Sequence, residues 1–311
     1  MSTYKTQAGS KTGWRHDFRM NKWLYLLAVP VVVYFVVFNY IPMGGLLMAF
    51  ENFKPQRGLF GSEWVGLKHF IDFFTGPNFW QLLRNTLAIS MLGLFVSFPL
   101  SIIFALLLNE INLTPFKKAV QTISYMPYFI SLVVICGLVT EFCSSQGVIT
   151  DFLVTVFGIQ RENLLTNPSY FWAIYIISDL WQNLGYSSII FVAAITSAST
   201  ELHEAAALDG ASRLQRVMHV TVPCIMPTIV PMLILKCGTI LGVGFEKILL
   251  LYNPSIYSTA DVISSHVQRL GIEQAQYGYS TAVGLFNSVV GTILLFLSNA
   301  LSRKYAETSI F

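Results

Sequence analysis

Charge is scarce in this chain. Of its 311 residues only 11% are Asp, Glu, Lys or Arg, against roughly a quarter in an average soluble domain. So few charged side chains cannot coat a water-exposed surface of this size, and 54% of the residues are hydrophobic. Water is therefore not the solvent the fold is built for. The net charge of +3 is too small to signal a nucleic-acid partner. Cysteine is scarce too: Cys136, Cys143, Cys224 and Cys237 form no C-x-x-C pair, and no His/Cys cluster has zinc-like spacing. Cys136 and Cys143, seven apart in an apolar stretch, read as buried small hydrophobes. No nucleophile–base pair, metal motif or G-x-x-x-x-G-K-S/T phosphate loop is visible, so the chain is expected to be no enzyme and to carry no ATPase site of its own. Low-complexity tracts are missing. A halved internal repeat is missing as well, which counts against a self-sufficient channel or ion-coupled carrier.

What the sequence has in quantity is long apolar runs. A helix needs about 20 apolar residues to cross the hydrocarbon core, and six segments suffice: 23–48, 85–108, 119–141, 169–197, 223–249 and 279–301. The expected fold is all-α, a polytopic membrane protein of six transmembrane helices. Pro30, Pro99, Pro127 and Pro231 fall inside these runs, where neighbouring groups can satisfy the freed backbone. The first run follows 22 residues and precedes no small-x-small cleavage site, so it reads as a retained anchor. Cations set the orientation, because short inside loops collect Lys and Arg. Lys5, Lys11, Arg15, Arg19 and Lys22 precede the first span; Lys117, Lys118, Arg213 and Arg216 fall in loops on the same side, and Arg303 and Lys304 at the end. The opposite side collects Lys54, Arg57, Lys68, Arg84, Arg161, Lys247 and Arg269 over longer stretches, 50–84, 142–168 and 246–278. Both termini are expected in the cytoplasm.

Two ionisable residues fall inside spans, Asp179 and Lys236. Buried in lipid they are costly, so they are expected to face a cavity or each other. At 1.5 Å of rise per residue their depths in oppositely running helices differ by about a turn, which suggests an ion pair or a shared polar network. Around Asp179 lie Trp181, Asn183, Tyr186 and Ser187, the rings, amides and hydroxyls that a sugar site needs. Gly242, Gly244, Phe245 and Glu246 follow in the fifth run, where small residues leave room.

Between the fourth and fifth runs stands TELHEAAALDGASRLQRVMHVTVP, residues 200–223. It reads as an amphipathic helix, a Gly break and a second short helix. Ser199 or Thr200 can cap the first helix, and Glu201 and Glu204 suit its positive end. Ala205, Ala206 and Ala207 leave a thin surface that another protein can approach. Gly210 permits the turn, and Arg213 and Arg216 share a face. The scattered His16, His69, His203, His219 and His266 suggest no chemistry; His203 and His219 belong to this loop's surface.

Glu204-Ala205-Ala206, three residues, Gly210, nine residues and Val220-Thr221-Val222-Pro223 follow the pattern E-A-A-x3-G-x9-I-x-L-P, departing only by two apolar changes to Val. In this the chain resembles ABC importer permeases, over roughly residues 23–311. The segments 125–131 (YMPYFIS), 244–254 (GFEKILLLYNP) and 279–286 (YSTAVGLF) resemble the LplB-type branch of the maltose-type carbohydrate permeases. The resemblance implies a cytoplasmic tail over 1–22, a first helix and outer loop over 23–83, a type I importer (MetI-like) core over 84–301 and a cytoplasmic tail over 302–311. It implies that the 200–216 loop is a coupling helix docking on an ATPase, with Glu204, Ala205, Ala206, Asp209, Gly210, Arg213 and Pro223 in the contact. It also implies that Leu184, Gly185 and Tyr186 line a sugar passage. The expected partners are a second permease, two copies of an ATP-binding subunit, an extracytoplasmic carbohydrate-binding protein and membrane lipid. ATP and Mg would be used by the ATPases, and this chain would bind no cofactor. The expected function is oligosaccharide import across the cytoplasmic membrane. An amino-acid or anion permease, and more remotely a self-sufficient channel or carrier, stay open.

Overall fold

The computed structural model describes residues 14–197 and 199–305. Lys5 and Lys11, with the rest of residues 1–13 of the expected tail over 1–22, and residues 306–311 lie outside the described residues.

Hydrocarbon offers no partner to a backbone N–H or C=O, so each apolar run must satisfy its own and becomes helix. In chain order these are α1 (Lys22–Phe50), α2 (Phe79–Glu110), α3 (Thr114–Phe129), α4 (Leu132–Phe142), α5 (Phe171–Thr196), the short α6 (Thr200–Leu208), α7 (Arg213–Gly238), α8 (Phe245–Leu251) and α9 (Tyr277–Tyr305). Among the described residues α1, α2, α7 and α9 are long and apolar enough to cross a membrane, and α3 with α4 makes a fifth if the bent pair is one span. α5 has the length, 26 residues, about 39 Å at helical rise. Asp179, Gln182, Asn183, Ser187 and Ser188 dilute its apolar character, and it is not among those four.

Two expected helices differ in the structure. The run 119–141 bends by 99° between α3 and α4. Pro127 lacks an N–H, and after it Ile130 and Ser131 take extended angles, with ψ of 138° at each. The run 223–249 starts earlier and ends sooner. The short helix expected after Gly210 is present as Arg213–Arg216 and runs on into the rest of α7, which passes through Pro223 and stops at Gly238. A π turn over Val217–Thr221 precedes Pro223, where a widened backbone accommodates the proline's missing donor and its ring. The all-α expectation also has a small exception: an antiparallel ladder of β1 (Glu51–Asn52) and β2 (Glu63–Trp64).

α5 packs on α2, α3 and α7, and α9 packs on α7 and on the C-terminal end of α1. One core gathers Ile89, Cys136, Cys143, Phe171 and Tyr175 with the loops around Leu164 and Ile256. A second joins Phe73, Leu82, Ile263 and Val283, and a third joins Ala105, Phe191, Ile195 and Ile225. Outward faces stay apolar, as at Val31, Val32, Phe35, Ile293 and Phe296, all more than half exposed, the pattern of a surface solvated by lipid. Lys247, one of the cations expected in the outer segments, is buried, with 4% of its surface exposed.

Candidate functional site

A cavity of about 740 Å³ opens where α2, α5 and α7 face one another. Polar groups on three helices line it: Ser97 and Ser101 from α2, Asp179, Asn183, Tyr186 and Ser187 from α5, and Lys236 and Thr239 at the end of α7. Asn183 Nδ2 donates to Asp179 Oδ1 at 2.7 Å, one helical turn away, and Ser97 Oγ donates to Asp179 Oδ2 at 3.4 Å. Ser97 ends the π turn Gly93–Ser97; such bulges re-aim side chains and concentrate at functional sites. Tyr186 stacks on Tyr128 with ring centroids 3.6 Å apart and planes 3° from parallel.

Beyond Gly238 the backbone leaves the helix until α8. Irregular backbone at membrane depth survives only where protein or a water-filled cavity satisfies it, and here three of the freed carbonyls are each met by a different element. Ser90 on α2 donates to the carbonyl of Ile240, Asn287 on α9 to that of Leu241 at 3.3 Å, and Ser264 to that of Val243 at 3.3 Å. The break lines two further spaces. One, of about 180 Å³, adjoins the main cavity through Asp179, Lys236 and Thr239; the other, of about 540 Å³, lies against α9.

The sequence candidates divide accordingly. Asp179, Asn183, Leu184, Tyr186 and Lys236 line the main cavity. Asp179 and Lys236 share both that cavity and the small chamber, yet no ion pair joins them. Gly242 lines the small chamber and the space against α9, and Phe245 lines the latter. Trp181 and Glu246 are exposed and line none of the three. Gly185 is a helix contact: a Cβ there would collide with the backbone carbonyl of Ser124 on α3.

The other candidate surface is the loop at α6. Ser199 caps it, accepting from the N–H of Glu201 at 3.2 Å. Gly210 has φ +80°, a left-handed value that a Cβ disfavours. Ser212 and Gln215 then open α7 with a reciprocal capping box. Glu204, Ala205, Asp209 and Arg213 are exposed, and Leu208 and Leu214 expose 90% and 72% of their surface. Ala206, Asp209, Gly210 and Arg216 border a groove of about 320 Å³. Charge rimming bare leucine beside small residues is how a docking surface looks.

Residues 97–307 match the family of binding-protein-dependent transport system inner membrane components. The chain belongs to this family. It is thus an ABC transporter permease, a membrane-embedded transport subunit and not itself an enzyme. The permease is 44% identical over 290 residues to the polygalacturonan/rhamnogalacturonan transport system permease protein YteP of Bacillus subtilis, covering 93% of this chain and 90% of that one. It is 40% identical over 305 residues to Protein LplB of Bacillus subtilis, covering 98% and 96%. A chain of a bacterial alginate ABC transporter, crystallised with an alginate pentasaccharide-bound periplasmic protein, superposes with a TM-score of 0.87 at 42% identity, covering 96% of this permease and 99% of that chain. The fold is accordingly the MetI-like permease fold.

Sequence reasoning missed several groups in or near the permease's cavity. Ser97 and Ser101 are four apart in an otherwise apolar run, a signal present but unread. Tyr128 follows the proline that bends α3, and only the bend brings its ring onto Tyr186. Lys247 sits on α8 with Nζ 5.4 Å from the centroid of the Tyr175 ring, and Tyr175 lines the small chamber.

Proposed function

We propose that the permease crosses the cytoplasmic membrane six times, with both termini inside, and carries oligosaccharides inward by alternating access. α5 is the sixth span; its polar stripe is the wall of the pathway, which is why its composition falls short of a lipid-facing helix. A related permease subunit closes the other side, since Tyr186, Lys236 and Thr239 stay exposed at the cavity. An extracytoplasmic carbohydrate-binding protein delivers the substrate. Two ATP-binding subunits close beneath the pair and push on the α6 loop, the coupling helix. Glu204 anchors that contact through a basic residue of the ATPase, with Ala205, Ala206, Asp209, Gly210 and Arg213 around it and Pro223 at the base. ATP and Mg act in those subunits, and the permease binds no cofactor. Residues 1–22 and 302–311 are the inner tails, 23–83 the first helix and outer loop, and 84–301 the ABC importer permease core.

The observation that carries this reading is the polar cavity beside a broken helix whose freed carbonyls are held by Ser90, Asn287 and Ser264. Rings, amides and hydroxyls on three helices suit a solute with many hydroxyls and flat apolar faces. The relatives named for polygalacturonan/rhamnogalacturonan and alginate support the saccharide assignment. A tagged permease pulled gently from membranes should bring down an ATPase, a second permease and a carbohydrate-binding protein. Recovery of a folded permease alone would argue for a self-contained channel.

A further inference from the structure

The space of about 540 Å³ against α9 has the size of a ligand pocket, which runs to roughly 300–1,000 Å³. α9 turns two different faces outward. Val289, Ile293 and Phe296 expose 49%, 51% and 59% of their surface on one side, as suits lipid. Gly284, Ser288, Thr292 and Leu295 recur at helical spacing on the other and line the space. Small residues often serve close helix packing, and Gly291 does so: a Cβ there would strike the carbonyl of Gly238. A Cβ on Gly284 would meet nothing within 4 Å, so that glycine makes room rather than contact. Ser288 and Thr292 donate their hydroxyls to carbonyls one turn back, at 3.0 and 2.7 Å, which leaves their oxygens free to accept. The half-buried amide of Gln268, also on the wall, bonds to no described residue. Together these offer donors and acceptors without a net charge. Thr239 borders this space, the main cavity and the small chamber alike, so all three meet at the break after α7.

We propose that this space is a second saccharide subsite, in which Gln268, Ser288 and Thr292 hold the hydroxyls of one sugar unit while another unit of the same chain occupies the main cavity. A sugar hydroxyl both donates and accepts, and the lining does the same. The subsite reads hydroxyls and not charge, and it rewards only a chain long enough to pass the break. It rests on the oligosaccharide reading above and adds where the rest of the chain goes and what sets its length. Asn287 lines the space as well, while its amide holds the Leu241 carbonyl, so a chain here lies beside a clamp on the break.

The test uses the whole importer with its binding protein in proteoliposomes, supplied with an equimolar mixture of galacturonate disaccharide and tetrasaccharide. Mass spectrometry counts both inside the same vesicles, so their ratio does not depend on how much importer assembles. Gln268→Leu should lower the tetrasaccharide-to-disaccharide ratio about twofold to tenfold, the range of one lost hydrogen bond. Gly284→Leu, which fills the space, should lower it further. Glycine weakens a helix interior, so this variant should melt no lower than the wild type. An unchanged ratio in both variants would overturn the inference and leave the space to lipid or to the second permease. Equal loss of both saccharides in Gln268→Leu would overturn it as well, and either result leaves the oligosaccharide reading standing. A wild type that accumulates neither saccharide, with ATP hydrolysis intact, would strike at that reading itself.

Discussion

Gly210→Ala isolates the turn that aims α6. Gly210 has φ +80°, and a Cβ built there meets nothing within 4 Å. The substitution therefore costs only backbone strain, about 1–2 kcal/mol for an L-residue held left-handed. That strain reduces the population of the observed turn by a factor of about 5 to 30. The loop can relieve it alone, because Leu202, Glu204, Ala205, Ala207 and Leu208 are exposed and tie α6 to little else. The melting temperature of the helical bundle should hence stay within a degree or two. ATP hydrolysis stimulated by the loaded binding protein should fall severalfold in reconstituted importer, and uptake with it. Gly210→Asn, which tolerates left-handed angles, should recover most of the loss. Full coupling in the Ala variant, or an Asn variant as poor as Ala, would refute the reasoning.

Other perturbations probe other parts. Glu204→Lys should leave insertion intact while uncoupling ATP hydrolysis from uptake, read by assaying both on one preparation. Gly185→Leu should force α5 off the Ser124 carbonyl and cost about 1–3 kcal/mol by overpacking, seen as a lower melting temperature together with weakened transport. Asn287→Ala should leave the Leu241 carbonyl without its donor and destabilise by about 1–3 kcal/mol, measured by thermal unfolding in detergent. Between α8 and α9, burial holds the proton affinity of His266 below the usual histidine value of 6.5, against the pull of Asp261. The folded state thus favours the neutral ring. Its contribution should be full above about pH 6.5 and fall as pH drops below that, and a thermal-melt series with His266→Gln should flatten the slope.

The apolar runs made the bundle legible because lipid demands length and hydrophobicity, both written locally. α1, α5 and α9 lie close to where the runs place them. The bend between α3 and α4 was less legible, since Pro127 sits in a run that would otherwise continue, and only the extended angles of Ile130 and Ser131 turn it. The end of α7 at Gly238 was hidden for a different reason. Its partners are Ser90, Ser264 and Asn287, tens of residues away in either direction, and no local pattern announces them. Asp179 and Lys236 stood out as charges in apolar surroundings, and the structure brings them to one cavity without pairing them. Lys247 was read only as one more loop cation, because it lies beside turn-forming residues. Trp181 looked like a sugar platform by composition, but its place on α5 turns it out of the cavity wall.

The central claim is that this permease moves oligosaccharides only when partner subunits hydrolyse ATP and a binding protein delivers the cargo. Radiolabelled oligosaccharide uptake into proteoliposomes of the assembled importer tests it most directly. With ATP on the ATPase side and loaded binding protein on the other, the saccharide should accumulate above its outside concentration, and withholding either should abolish accumulation. Equilibration of the saccharide through the permease alone, indifferent to ATP and to the binding protein, would contradict it.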